Sequence, residues 1–220
     1  MKLLRAPRRG SNDLDDRSCG LALQAASLLL GYPDQDLLDR VPLLLGVAER
    51  LPDDAAAPLR RLCEHVARTP LHELQEHYTS TFDLRRRCCL YLTYFSHGDT
   101  RQRGMALLRF SHAYTSAGAH FEGGELPDHV AVVCEFAATT DLAMGLRLLA
   151  EHRAGLELVR TALAEARSPY VDALDLLRAL LGPATPHDLE KAQELARSGP
   201  PEEEVGLEPF GPPELMGGRR

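Results

Sequence analysis

Between Phe82 and Gly104 the chain reads FDLRRRCCLYLTYFSHGDTRQRG, which places adjacent thiols, a histidine, two aspartates and five arginines in one window. Residues of these types serve metal ligation, thiol catalysis and phosphate binding, and each chemistry demands its own spacing. Zinc is usually held by short pairs such as CxxC or HxxxH. Cys88 and Cys89 are immediate neighbours, which a helix turns about 100° apart. His97, His112, His120 and His129 do not supply the missing pair, so no metal is expected. Arg85, Arg86 and Arg87 would lower the pKa of a nearby thiol, but no Cys-His signature accompanies them. His97-Gly98-Asp99 precedes a helix start, where backbone N–H groups welcome anions. Asp99 would repel phosphate there, and neither GxGxxG nor a P-loop is present. No catalytic residue and no cofactor are expected. A helical metal- or thiol-dependent sensor or enzyme using the Cys/His cluster stands as the alternative.

Two other signals concern recognition. Nine of the 12 aromatic residues lie between Tyr78 and Phe136, and aromatic and Arg side chains anchor many recognition surfaces. Tyr78 and Phe82 stand four apart, on one helix face. Glu125-Leu126-Pro127-Asp128-His129 reads as a loop that ends in a helix start, with Asp128 suited to cap the N–H groups that follow. The same spacing could set Asp128 and His129 at the lip of a groove.

Helices must position all of these residues. The chain holds 40 Leu and 27 Ala against 9 Val and no Ile, a balance that favours helix over strand. Caps and breakers predict helices over Ser18–Leu30, Asp34–Leu51 with a kink or a break at Pro42, Ala55–Arg68, and from Thr69-Pro70 to Thr81. Thr69 reads as an N-cap. Asp99 reads as the cap of a helix to Gly118, with Met105, Leu108, Ala113 and Ala117 on its apolar face. Helices over Asp128–Thr139, from Asp141, and over Ala154–Arg167, Pro169–Leu181 and Pro186–Arg197 complete the set, the last capped by Thr185. Short connections predict one all-α domain, a helical bundle of about eight to ten helices.

Residues 1–17 are expected to be a disordered arm, and residues 198–220 a disordered tail rich in Pro, Gly and Glu. Gly10-Ser11-Asn12-Asp13 follows Arg8-Arg9 where an export signal would need an apolar stretch. The net charge of −7 and pI near 5.7 argue against nucleic-acid partners. Five cysteines without CxxC spacing suit a reducing cytoplasm. No apolar run approaches a membrane span.

The run from Tyr78 to Phe110 closely resembles the nitrate reductase molybdenum cofactor assembly chaperones, the delta subunits of respiratory nitrate reductases. Leu30-Gly31-Tyr32-Pro33 and the Glu125–His129 element resemble the wider family of redox-enzyme maturation chaperones. The likeness runs roughly from Ser18 to Leu181. It implies a cytoplasmic, all-helical chaperone, 18–197, without catalysis of its own and with a role in nitrate assimilation. The implied partner is the catalytic (alpha) subunit, held by its N-terminal peptide until molybdenum cofactor is inserted and before it docks at the membrane. Sister chaperones carry an aromatic-x-x-Leu-Phe element; here Tyr78 and Phe82 keep the spacing and Thr81 replaces Leu. The implied peptide site comprises Tyr78, Phe82, Tyr91, Tyr94 and Phe95 as anchors, Arg85, Arg86 and Arg87 as rim, and Asp128 and His129. A structural subunit of the mature complex is a further alternative.

Overall fold

The computed structural model describes residues 14–98, 100–120 and 124–201. Eleven α-helices occur among them: α1 (Asp16–Leu30), α2 (Gln35–Ala48), α3 (Asp53–Arg68), α4 (Leu71–Tyr78), α5 (Tyr94–His97), α6 (Arg101–Ser116), α7 (Val130–Thr139), α8 (Leu142–Glu151), α9 (Arg153–Glu165), α10 (Val171–Leu181) and α11 (Pro186–Ser198). No strand occurs among the described residues. The all-α expectation holds.

Short polar side chains start these helices. Asp15, Asp34 and Asp141 each accept the backbone N–H three residues on, at 2.7, 2.8 and 2.9 Å. Such caps stabilise a helix by about 1 kcal/mol each. Thr185 and Asp188 form a reciprocal capping box at α11. Asp15 sets the first helix two residues earlier than the expected Ser18.

α1 is the central column. Its Ala22, Leu23, Ala26, Leu29 and Leu30 are buried, and it packs on α7, α10 and α2. α3 lies between α2 and α10, α8 turns back along α7, and α9 joins α10 to α11. Gly145 lets α8 approach α7, since a Cβ there would collide with Ala137. Arg153 donates to the carbonyls of Leu181, Gly182 and Pro183, closing the end of α10.

Several local expectations change. α2 runs unbroken through Pro42. Pro42 is on the exposed face, so the carbonyl that loses its N–H partner stays within reach of solvent. Thr69 does not cap α4, because its hydroxyl donates back to the His65 carbonyl at 2.8 Å. α4 stops at Tyr78 and widens into a π-helical turn over Thr79–Asp83. A 3-10 turn, Arg86–Cys88, follows and rests on α9. On α6, Phe110, Ala113 and Tyr114 are buried while Met105 and Leu108 are exposed, because only its C-terminal half meets the bundle. The proposed Asp99 cap, residues 1–13 of the expected arm (1–17) and residues 202–220 of the expected tail (198–220) lie outside the described residues, while Asp16 and Arg17 belong to α1 and Ser198 to α11.

Candidate functional site

The π-helical turn places Tyr78 and Phe82 in an aromatic cluster, not along a regular helix face. Their ring centroids are 4.8 Å apart, and Tyr170 stands edge-on to both at 5.9 and 4.9 Å. Rings at these spacings attract beyond their buried area. Tyr32, from the turn between α1 and α2, meets Tyr78 edge-on at 5.5 Å. The Tyr78 hydroxyl donates to the Leu30 carbonyl at 3.0 Å, which ties this cluster to the end of α1. Burial pushes the Tyr78 hydroxyl well above the usual phenol range. Thr81, between them in sequence, is buried as well.

A polar joint lies on the other side of the same connection. Asp128 is fully buried, at 0% exposure. Its carboxylate accepts the Thr93 backbone N–H at 3.0 Å and the Thr93 hydroxyl at 2.6 Å. A carboxylate buried this deeply needs such donors. Backbone bonds reinforce the joint, from Leu92 N–H to the Asp128 carbonyl at 3.0 Å and from Val130 N–H to the Leu90 carbonyl at 2.9 Å. Together they make an isolated antiparallel bridge between Tyr91 and His129. Asp128 therefore does not cap α7. His129 does, with Nδ1 accepting the Ala131 N–H at 3.3 Å. That bond leaves the ring proton on Nε2. Burial holds the His129 imidazole below its ordinary pKa, against the opposing pull of Glu125 and Asp128.

Above the joint the side chains reach solvent. The Tyr91 ring packs edge-on to His129 at 5.2 Å, and its hydroxyl donates to Glu125 at 2.7 Å. The Arg103 guanidinium lies 5.3 Å from the Tyr91 ring centre and 5.9 Å from that of Tyr94, within range for cation–π attraction. Its Nε donates to the Thr93 hydroxyl at 3.3 Å.

The turn between α1 and α2, Glu125, His129 and α7 wall a groove of about 240 Å³. Tyr32, Asp34 and Arg40 stand on one side, and Glu125, His129 and Glu135 on the other. A second cavity of about 380 Å³ shares Glu125, Val132 and Glu135 and continues to Tyr114, His120 and Thr140. The two cavities flank the open face of α7. Another hollow of about 400 Å³, lined by Asp53, Arg61, Asp175 and Arg178, lies between α3 and α10, away from both signature elements.

Of the residues the sequence put forward, Tyr78, Phe82, Tyr94, Phe95, Asp128 and His129 are buried, Tyr91 is half-buried, and Arg85, Arg86 and Arg87 are exposed. Arg87 reaches Glu165 on α9 at 3.2 Å. Asp128 and His129 meet Tyr91, and Tyr78 meets Phe82; Arg85–Arg87 stand apart from both groups. The sequence singled out the Leu30–Pro33 turn but did not assign its Tyr32, which is 55% exposed, to the site. Its signal was an aromatic residue held between Gly31 and Pro33 at a turn. Thr93 was missed too, because its partner is 35 residues away.

Burial opposes thiolate formation at Cys63, Cys88 and Cys134. Burial raises Cys88 above the ordinary thiol pKa despite Arg85 and Arg87 nearby, and pushes Cys63 up to about 12. Among the described residues no group of three or more His, Cys, Asp or Glu side chains could hold a metal ion. No helix among them is long and apolar enough to cross a membrane.

Known proteins give the same arrangement a context. The chain is 41% identical over 147 residues to the nitrate reductase-like protein NarX of Mycobacterium tuberculosis, covering 67% of this chain and 22% of NarX. The chain thus spans about a fifth of that relative's length. It is 28% identical to the probable nitrate reductase molybdenum cofactor assembly chaperone NarJ of Bacillus subtilis, covering 73% of this chain and 88% of NarJ. For the NarJ chaperone of Escherichia coli K12 the identity is 27%, over 83% and 79%. A putative redox enzyme maturation protein from Archaeoglobus fulgidus shares the fold with a TM-score of 0.54 and 26% identity, covering 79% of this chain and 97% of that one. The profile of the nitrate reductase delta subunit family matches residues 48–175, more than half of the sequence, and the chain belongs to that family.

Proposed function

We propose that this protein is a cytoplasmic assembly chaperone for a respiratory nitrate reductase. It holds the apo catalytic subunit by its N-terminal peptide while molybdenum cofactor is inserted, and releases it for membrane docking. One observation carries this reading. The Gly31-Tyr32-Pro33 turn and the Glu125–His129 element, almost a hundred residues apart, wall the same groove beside α7. The likeness to the two NarJ chaperones supports the choice of client.

The groove suits a peptide. Tyr32 offers aromatic contact, while Glu125, held by the Tyr91 hydroxyl, and Glu135 offer acceptors for backbone N–H groups or basic side chains. An aromatic contact with polar groups around it is one way a groove holds an amphipathic segment. Tyr78, Phe82, Tyr94, Phe95, Asp128 and His129 form the support beneath, and Arg85–Arg87 the outer rim. The small opening and polar walls favour reversible capture over permanent assembly.

Calorimetry with a synthetic N-terminal peptide of the cognate catalytic subunit tests the reading. Low-micromolar binding is expected, and Tyr32→Ala and Glu125→Lys should each weaken it about tenfold, or ~1.4 kcal/mol. Absence of binding at high micromolar peptide, with a scrambled peptide as control, would overturn it.

A further inference from the structure

α6 reaches the Glu125–His129 element from both of its halves. In the inner half the Tyr114 hydroxyl donates to the Pro127 carbonyl. In the outer half the reach is made by Arg103. Its Nε donates to the Thr93 hydroxyl at 3.3 Å, and that hydroxyl donates to the Asp128 carboxylate at 2.6 Å. The same guanidinium lies over the rings of Tyr91 and Tyr94. Tyr91 in turn holds Glu125 through its hydroxyl and meets His129 edge-on. Glu125 and His129 line the groove beside α7. One side chain of α6 therefore stands behind two residues of that wall.

The rest of the outer half is loosely seated. None of residues 101–109 is buried, and Arg103, Ala106 and Leu107 are half-buried. Arg109 pairs with Glu151 on α8 at 3.1 Å, but both side chains are exposed, and such pairs hold weakly. Gly104 follows Arg103, and a Cβ there would meet nothing within 4 Å. Packing does not call for this glycine, and glycine weakens a helix interior relative to alanine. Segments with few buried contacts open before the rest of a fold. Arg103 carries any such opening of α6 to the joint and the groove wall.

We propose that Arg103 is a positioning residue for the groove. It clamps Tyr91 and Thr93, so that the outer half of α6 and the Glu125–His129 wall tighten or loosen together. The consequence for a client rests on the reading above; the clamp itself does not.

Amide exchange in the client-free chain tests the clamp. Leu92, Thr93 and Val130 carry the N–H groups that bond across the joint. Arg103→Ala should speed their exchange about tenfold and leave Leu176 and Leu177, buried on α10, at wild-type rates. Arg103→Lys keeps the charge and the apolar stem and should recover part of the protection. Gly104→Ala should firm α6 and slow the same three amides about threefold. With the N-terminal peptide of the catalytic subunit, Arg103→Ala should raise the dissociation rate about tenfold. Wild-type exchange at all three amides in Arg103→Ala overturns the proposal, as does an acceleration that Leu176 and Leu177 share or that Arg103→Lys does not reduce. Should Arg103→Ala fail to fold, unchanged exchange in Gly104→Ala overturns it instead. Loosened amides with an unchanged peptide dissociation rate overturn the link to the groove. A wild-type chain that binds no peptide counts against the client reading alone, since the exchange rates still decide the clamp.

Discussion

Two buried clusters hold the connection between α4 and α6 to the bundle, and they do so by different physics. The aromatic cluster of Tyr78, Phe82 and Tyr170 works by area and shape, with one hydroxyl anchoring it to α1. The joint of Asp128 and Thr93 works by hydrogen bonds, with little apolar area between the partners. Burial of rings is tolerant of small displacements, since dispersion and the hydrophobic effect have no direction. A buried carboxylate is not tolerant, because losing one donor leaves a charge in a poor solvent. The first cluster thus supplies adhesion and the second supplies register.

The largest expected effect separates the two. Phe82→Ala should cost about 3–5 kcal/mol, as for other buried Phe truncations, read by urea denaturation. Phe82→Leu should recover most of that loss, because area is what the site needs. An equal loss from Phe82→Leu would show that ring geometry, not area, sets the cluster.

Asp128→Ala comes next, at about 3 kcal/mol, since it leaves the Thr93 hydroxyl and N–H without their acceptor. Asp128→Asn keeps the volume and one acceptor and should lose clearly less. Hydrogen exchange at Thr93 reports on the joint directly. If Asp128→Ala leaves that amide as protected as in the wild type, the joint does not fix the register.

Acid should strain both clusters, but unequally. Burial holds His77, stacked on the Tyr170 ring at 5.7 Å, and His129 below their ordinary pKa, as it does His65 and His152. The unfolded chain then binds more protons than the fold just below pH 6.5, so stability is full above that value and drains as pH falls toward the lowered values. Each histidine contributes at most about 1.4 kcal/mol per pH unit. His129 is the more deeply buried of the two. Thermal melts from pH 7.5 to 5 should therefore flatten more in His129→Asn, where Asn can still cap α7, than in His77→Gln. A larger change in His77→Gln would assign the acid loss to the aromatic side.

The smallest effect lies outside both clusters. Arg87→Ala removes an exposed pair with Glu165 and should change stability by no more than about 0.5 kcal/mol. A larger loss in denaturation would mean that the arginine run is a third anchor for the connection.

The features legible in the sequence were those set by near neighbours. Asp34, Asp141 and Thr185 cap helices where a reader of caps places them, because a cap bond spans three residues. The Leu and Ala content gave the helical class. The site was harder to read. Asp128 has the local credentials of an N-cap, yet a donor 35 residues upstream claims it and His129 takes the cap. The Tyr91–His129 bridge is too short to leave a periodic trace. The pattern on α6 promised a buried Met105 and Leu108, but periodicity reports which residues share a face and not whether anything covers it. Tyr32 became visible only when the groove brought its turn beside α7.

The order in which the helices meet has a consequence for how this protein comes into being. α1 needs α7 to cover it, and α3 needs α10. As the ribosome releases the chain from its N-terminus, the first half emerges with its apolar faces open. Contacts between distant segments slow folding relative to local helix pairing. Exposed apolar faces on an unfinished chain invite association with other chains. The core therefore closes only when α10 has left the ribosome, and a protein proposed to guard an unfinished enzyme spends its own synthesis with its core unfinished.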